Sequence, residues 1–115
     1  MKKILLMAVA LIATATAAFA ADKTVTLDLT KPDAFGYAVP EAGGATPLEV
    51  GQKVTQGDVT ITVATNGKTP VRFWNTDGAI TFRLASDCSI DIEAGGANIK
   101  KIELTGKNIK VDNVD

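Results

Sequence analysis

The sequence predicts an all-β fold, an antiparallel β-sandwich of about seven short strands, and three observations predict it. Apolar residues alternate with polar ones along most of the chain. Each alternating run is short, rich in β-branched residues and bounded by Gly, Asn, Asp or Pro. No amphipathic helical pattern follows residue 20. Period-two alternation marks a strand with one buried face, and recurring turn residues mark the links between strands.

The first twenty residues carry a different signal. Lys2 and Lys3 form a positive start, and residues 4–18 form an uncharged apolar stretch. Ala18-Phe19-Ala20 then places small residues at the −3 and −1 positions of a cleavage site. Residues 1–20 therefore read as a signal peptide and residues 21–115 as a single domain. A transmembrane anchor needs about 20 apolar residues. This run is shorter and fades through Thr14 and Thr16, so cleavage is the better reading. No cysteine follows the leader to carry a lipid, and no long apolar run recurs after Ala20. The expectation is bacterial export to the periplasm, the cell surface or the medium, with no membrane insertion after cleavage.

The strands follow in order. Val25, Leu27 and Leu29 claim one face of the first, and Val59, Ile61 and Val63 one face of the second. Val71 and Phe73, then Ile80, Phe82 and Leu84, then Cys88, Ile90 and Ile92 continue the series. Ile102 with Leu104, and Ile109 with Val111, complete it. Residues directly opposite across a hairpin share a face, so core residues must pair with core residues. That rule favours a three-residue loop Asn66-Gly67-Lys68, which sets Ile61 opposite Phe73, unless the two strands lie in different sheets. It also sets Leu84 opposite Cys88 across Ala85-Ser86-Asp87, and Leu104 opposite Ile109 across residues 105–108. Between residues 30 and 54 the alternation fails, and Pro32, Pro40, Gly43-Gly44 and Pro47 predict a long connection with turns. Phe35 and Tyr37 lie within it, either tucked under the rim as a satellite cluster or carried on a binding loop.

Composition narrows the chemistry. The chain has no histidine, and Cys88 is its one cysteine. His-based acid–base catalysis, His-paired nucleophiles, His/Cys zinc sites and an intrachain disulfide are thereby excluded. Without its leader the chain keeps ten Lys and Arg against thirteen Asp and Glu, a net charge of −3. That mild acidity, with no basic run, argues against nucleic acid as a partner. Cys88 shares parity with Ile90 and Ile92 and reads as a small core residue rather than a reactive thiol. Asp87, Asp91 and Glu93 invite comparison with a calcium site, but Asp91 and Glu93 alternate with core positions and read better as a solvated strand face. No enzyme activity, no catalytic residue, no metal and no cofactor are expected.

The unusual chemistry lies in Arg72-Phe73-Trp74-Asn75-Thr76-Asp77-Gly78 and the strand after it. With Val71, Phe73, Ile80 and Phe82 facing the core, Arg72, Trp74, Thr81 and Arg83 share the opposite face. A two-residue Asp77-Gly78 turn sets Arg72 opposite Arg83 and Trp74 opposite Thr81. A loop of residues 75–78 sets Arg72 opposite Thr81 instead. Two adjacent arginines repel unless an acid, an anion or an aromatic face lies between them. One reading is a structural cluster, with Trp74 stacked under an arginine and Asp77 or Glu93 neutralising the excess. The other is a binding platform, in which the indole covers a sugar ring while Arg72, Arg83, Asn75 and Asp77 bond its polar groups.

The order of these features, from Thr24-Val-Thr-Leu-Asp-Leu-Thr-Lys-Pro-Asp through Gly57-Asp-Val-Thr-Ile-Thr and Arg72-Phe-Trp to Ile80-Thr-Phe-Arg-Leu and Ile99-Lys-Lys-Ile-Glu-Leu-Thr, resembles a family. It is similar to the secreted β-sandwich modules of exported proteins from gut Bacteroidetes. The likeness covers nearly all of residues 21–115, and its motifs are structural rather than catalytic. It implies a jelly-roll-like sandwich at the cell surface, with an arginine–aromatic pair like Arg72-Phe73-Trp74 and a second arginine like Arg83. Family members continue past the equivalent of Val114 with a hairpin and one or two closing strands, so the resemblance implies a domain lacking its C-terminal strands. The function expected is a non-catalytic secreted module binding a glycan or cell-surface polymer through Arg72, Trp74, Asn75, Asp77 and Arg83. Its rival is a structural or adhesive module with no small ligand.

Overall fold

The structure, a computed structural model, describes residues 3–7, 10–19, 24–94, 99–107 and 111–114. In chain order these form β1 (Lys3–Met7), β2 (Ala10–Phe19), β3 (Thr24–Asp28), a turn of 3₁₀ helix (Pro32–Phe35), β4 (Ala45–Pro47) and β5 (Lys53–Gln56). There follow β6 (Val59–Thr65), β7 (Arg72–Thr76), β8 (Ala79–Leu84), β9 (Ser89–Ala94), β10 (Ile99–Lys107) and β11 (Val111–Val114). The all-β expectation holds, and no α-helix occurs among the described residues.

Two antiparallel sheets result. One runs β11-β1-β9-β6-β5; the other runs β10-β2-β8-β7-β4, with β3 paired to β2 beside β8. Their apolar faces meet in one core. Val54, Val59, Ile61, Val63, Ile90 and Ile92 enter it from the first sheet, and Ile12, Leu27, Phe73, Phe82 and Leu84 from the second. The alternation seen in the sequence is the cause: in β6, Val59, Ile61 and Val63 are buried while Thr60, Thr62 and Ala64 are half-buried on the other face. Phe73 and Phe82 pair directly across β7 and β8, edge to face at 5.2 Å. Tyr37 packs against Phe73 at 5.9 Å and donates its hydroxyl to the Lys53 carbonyl at 2.7 Å. With Phe35 also packed on the core, both aromatics of the long connection form the satellite cluster under the rim.

Three hairpin expectations need correction. β6 pairs with β5 and β9, whereas β7 pairs with β4 and β8, so Ile61 lies opposite Val54 and Ile92 rather than Phe73. Residues 66–71 thus cross from one sheet to the other. The link after Leu84 crosses back, because β8 and β9 also lie in different sheets, and Leu84 is not paired with Cys88. Parity constrains which residues pair in a shared sheet but does not say whether two strands share one. Residues 105–107 belong to β10 rather than to a loop, and Ile109 lies outside the described residues. Two short edge strands, β4 and β5, occupy the region where alternation fails. β4 is only three residues long and contains Pro47, and β5 begins at Lys53. Brevity, proline and lysine are features that keep edges from pairing with other chains, and they also erase the period-two signal.

In the uncut chain the apolar N-terminal segment takes part in the fold. β1 lies between β9 and β11, β2 pairs along both of its edges, and Ile12 and Ala15 are buried in the core. Ala20 itself lies outside the described residues.

Two outcomes follow from this packing. Phe73→Ala should lower stability by about 3–5 kcal/mol in urea melts, the usual cost of deleting a buried aromatic; a loss under about 1 kcal/mol would place Phe73 outside the cooperative core. A chain starting at Ala21 lacks β1 and β2, and the opened edges of β9 and β8 should make it associate. Size-exclusion chromatography with light scattering tests this, and a monomer with strong amide protection in β9 would show those edges closed by other means.

Candidate functional site

The outer face of β7 and β8 owes its geometry to one turn. Thr76 pairs with Ala79, so the link is the two-residue Asp77-Gly78. Asp77 (φ 51°) and Gly78 (φ 92°) both adopt left-handed conformations, as the turn that matches strand twist requires, and Asp-Gly is a favoured pair for it. Of the two registers open to the sequence, this turn selects the one with Arg72 directly opposite Arg83 and Trp74 opposite Thr81. Since Phe73 and Phe82 face the core, Arg72, Trp74, Thr81 and Arg83 are turned to the other side.

That face gathers both arginines of the chain and its one tryptophan. The guanidinium carbon of Arg83 lies 5.3 Å from the indole centroid and that of Arg72 lies 5.8 Å from it. Each contact lies within the range of a cation–π interaction, worth about 0.5–1 kcal/mol at an exposed site. Arg83 donates from Nε to the Thr81 hydroxyl at 3.3 Å and from Nη2 to the Thr76 hydroxyl at 3.1 Å. Arg72 donates from Nη1 to the Pro70 carbonyl at 3.2 Å. These partners are all neutral. Burial, then the charge of Arg83, pull the Arg72 pKa below the usual guanidinium value. Arg72, Trp74, Thr81 and Arg83 are all half-buried.

The other residues singled out in the sequence lie elsewhere. Asn75 has core-side parity and is 8 % exposed. Its Nδ2 donates to the Pro40 carbonyl at 2.9 Å, and its Oδ1 accepts the Gly78 N–H at 2.7 Å. Its backbone exchanges hydrogen bonds with Gly43 and Gly44. Asn75 thus ties the long connection and the turn to β7 and does not join the arginine–indole patch. Asp77 is exposed at the tip of the turn. Thr76 is the member of the patch that sequence reasoning passed over. It shares parity with Trp74 and Arg72, which is the signal that could have found it.

Cys88 is buried, accepts the Gly67 N–H at 3.4 Å and donates its S–H to the Thr69 carbonyl at 3.1 Å. Asp87 accepts from the Lys68 N–H at 3.1 Å, so the two links that cross between sheets are fastened to each other. A Cβ at Gly67 would lie 1.8 Å from the Asp87 carboxyl carbon, so a side chain there would displace that carboxylate from its place against the Lys68 N–H. Among the described residues no three His, Cys, Asp or Glu side chains stand together as a metal site, and no helix is long and apolar enough to cross a membrane.

Comparison with protein families, with curated proteins and with solved structures finds no match. What the fold and site define is therefore a class: an all-β chain of two antiparallel sheets with a cation–aromatic outer face.

Directly opposed like charges on a strand pair destabilise by roughly 0.2–1 kcal/mol, and salt screens them. Arg83→Gln removes the opposition. The difference in stability between variant and wild type, measured by urea melts from 0.05 to 0.5 M NaCl, should move in favour of wild type as salt rises. A difference that is independent of salt would show that the indole already cancels the repulsion.

Proposed function

We propose that the chain is a secreted, non-catalytic module, a jelly-roll-like sandwich that binds a glycan or cell-surface polymer on the outer face of β7 and β8. One observation carries this reading. The chain's single indole is half-buried on a sheet face beside two guanidiniums whose described partners are hydroxyls and a carbonyl. An indole offers a flat apolar surface to the C–H face of a pyranose, with which a purely polar ligand could do little. Each guanidinium has five N–H donors. The described bonds occupy one donor of Arg72 and two of Arg83, and among the described residues the others are open to ring hydroxyls or acidic substituents.

Arg72, Trp74 and Arg83 are the binding residues in this proposal, with Thr76 and Thr81 positioning Arg83. Asp77, exposed at the turn, borders the patch; Asn75 holds the turn beneath it. Export rests on the leader pattern of residues 1–20 and on the resemblance to exported modules. Cleavage after Ala20 would take β1 and β2 away, yet the strand pair β7–β8 and its neighbour β4 come wholly from the remaining chain. The patch does not depend on the leader for any of its own residues.

The rival is an internal structural cluster, and it draws on the same stacking: both arginines already have the ring as a partner. The two readings separate on Trp74→Ala. The binding reading expects this variant to keep its β-rich circular dichroism and urea midpoint while losing retention in polysaccharide-containing affinity gels. A variant that unfolds, or a wild-type protein that no polysaccharide retards and whose fluorescence no polysaccharide changes, would leave the structural reading standing.

A further inference from the structure

Resting on that binding reading, we infer that the ligand is an anionic polysaccharide, one whose sugars carry carboxylate or sulfate groups. The patch holds two like charges side by side on adjacent strands, and their described hydrogen-bond partners are uncharged. Among the described residues no carboxylate bonds to either guanidinium: Asp77, the nearest in sequence, is exposed at the turn, and Asp87 bonds to the Lys68 backbone in the crossing links. An anionic group placed between the two guanidiniums would replace repulsion by two charge-assisted contacts, each able to be bidentate. A neutral sugar could use the indole and the N–H donors but would leave the repulsion in place.

The net charge of the whole chain is −1, so general electrostatic attraction does not explain retention of a polyanion. Any affinity for one has to come from a local feature such as the Arg72–Arg83 pair. The indole distinguishes the expected partner from other polyanions, since stacking on it requires a ring face beside the charge.

Because the chain has one tryptophan, its emission reports the patch directly. The full chain is expressed with its leader and recovered as the host processes it. It is then titrated with polygalacturonate, with dextran sulfate, with neutral dextran and with double-stranded DNA. The expected result is a change in emission and gel retardation with polygalacturonate or dextran sulfate, and at least tenfold weaker binding of dextran and DNA. Two neutralised charges give a salt slope near −1.4, so affinity should fall roughly 25-fold for a tenfold rise in NaCl. The carboxylated and sulfated polymers show which acid the site accepts. The double variant Arg72→Gln/Arg83→Gln, both half-buried positions, should fold and lose the preference.

Equal binding of dextran and the acidic polymers would overturn this inference while leaving the glycan reading intact. Equal binding of DNA, or acidic-polymer binding that survives the double variant with its salt slope unchanged, would overturn it as well. No binding to any polysaccharide would overturn both.

Discussion

The contact between the two apolar sheet faces fixes nearly everything else in the molecule. Phe73 and Phe82 meet edge to face across β7 and β8, and the isoleucines and valines of β6 and β9 share their core. Burying a side chain of this size contributes about 1.5–3 kcal/mol, far more than any surface contact nearby. A strand has only two faces. Once Phe73 and Phe82 are committed inward, Arg72, Trp74, Thr81 and Arg83 have no choice but the outer one. The patch is a by-product of core packing in its direction, and of the Asp77-Gly78 turn in its register.

Much of this was legible in the sequence because both facts have short-range signatures. Alternation from Arg72 to Thr76 and from Ala79 to Leu84 marks the strands, and Asp-Gly marks the turn. The same logic misled at residues 66–71, where parity would have allowed Ile61 to face Phe73. Those residues do share the core, but across the gap between sheets rather than across a ladder. What decides the matter is long-range: Asn66 donates to the Leu48 carbonyl and accepts from the Val71 N–H, while Gly67 and Cys88 fasten the two crossing links. Asn75 escaped for a related reason. An amide beside an indole looks like a ligand group in sequence, and only the placement of Pro40 and Gly78 shows its polar atoms already engaged.

The composition of the N-terminal segment is compatible with two uses. An uncharged apolar stretch suits a leader, and small residues with β-branched neighbours also suit a central strand. In the uncut chain it is paired along both edges in each sheet. A segment held that way cannot at the same moment lie extended in an export channel or offer its cleavage site. The two uses exclude each other in time: on the proposed reading, export would have to engage the segment before the sheets close around it. Folding that is slow, as expected of a fold dominated by contacts distant in sequence, favours that order.

The electrostatics of the outer face complete the link from folding to binding. Packing compels Arg72 and Arg83 to face each other, and desolvation together with that proximity lowers the Arg72 pKa. The indole spreads this charge but carries none of its own, so it softens the repulsion without neutralising it. The free energy left unsatisfied in the folded chain is the same quantity that an anion entering the patch would recover. A ligand that is flat, apolar on one side and acidic at its edge meets all three requirements at once: it covers the ring, takes up the idle N–H donors and supplies the missing charge. On the proposed reading, replacing either arginine by a neutral residue removes the repulsion and one of the charges that the anion would meet, so both effects have one origin.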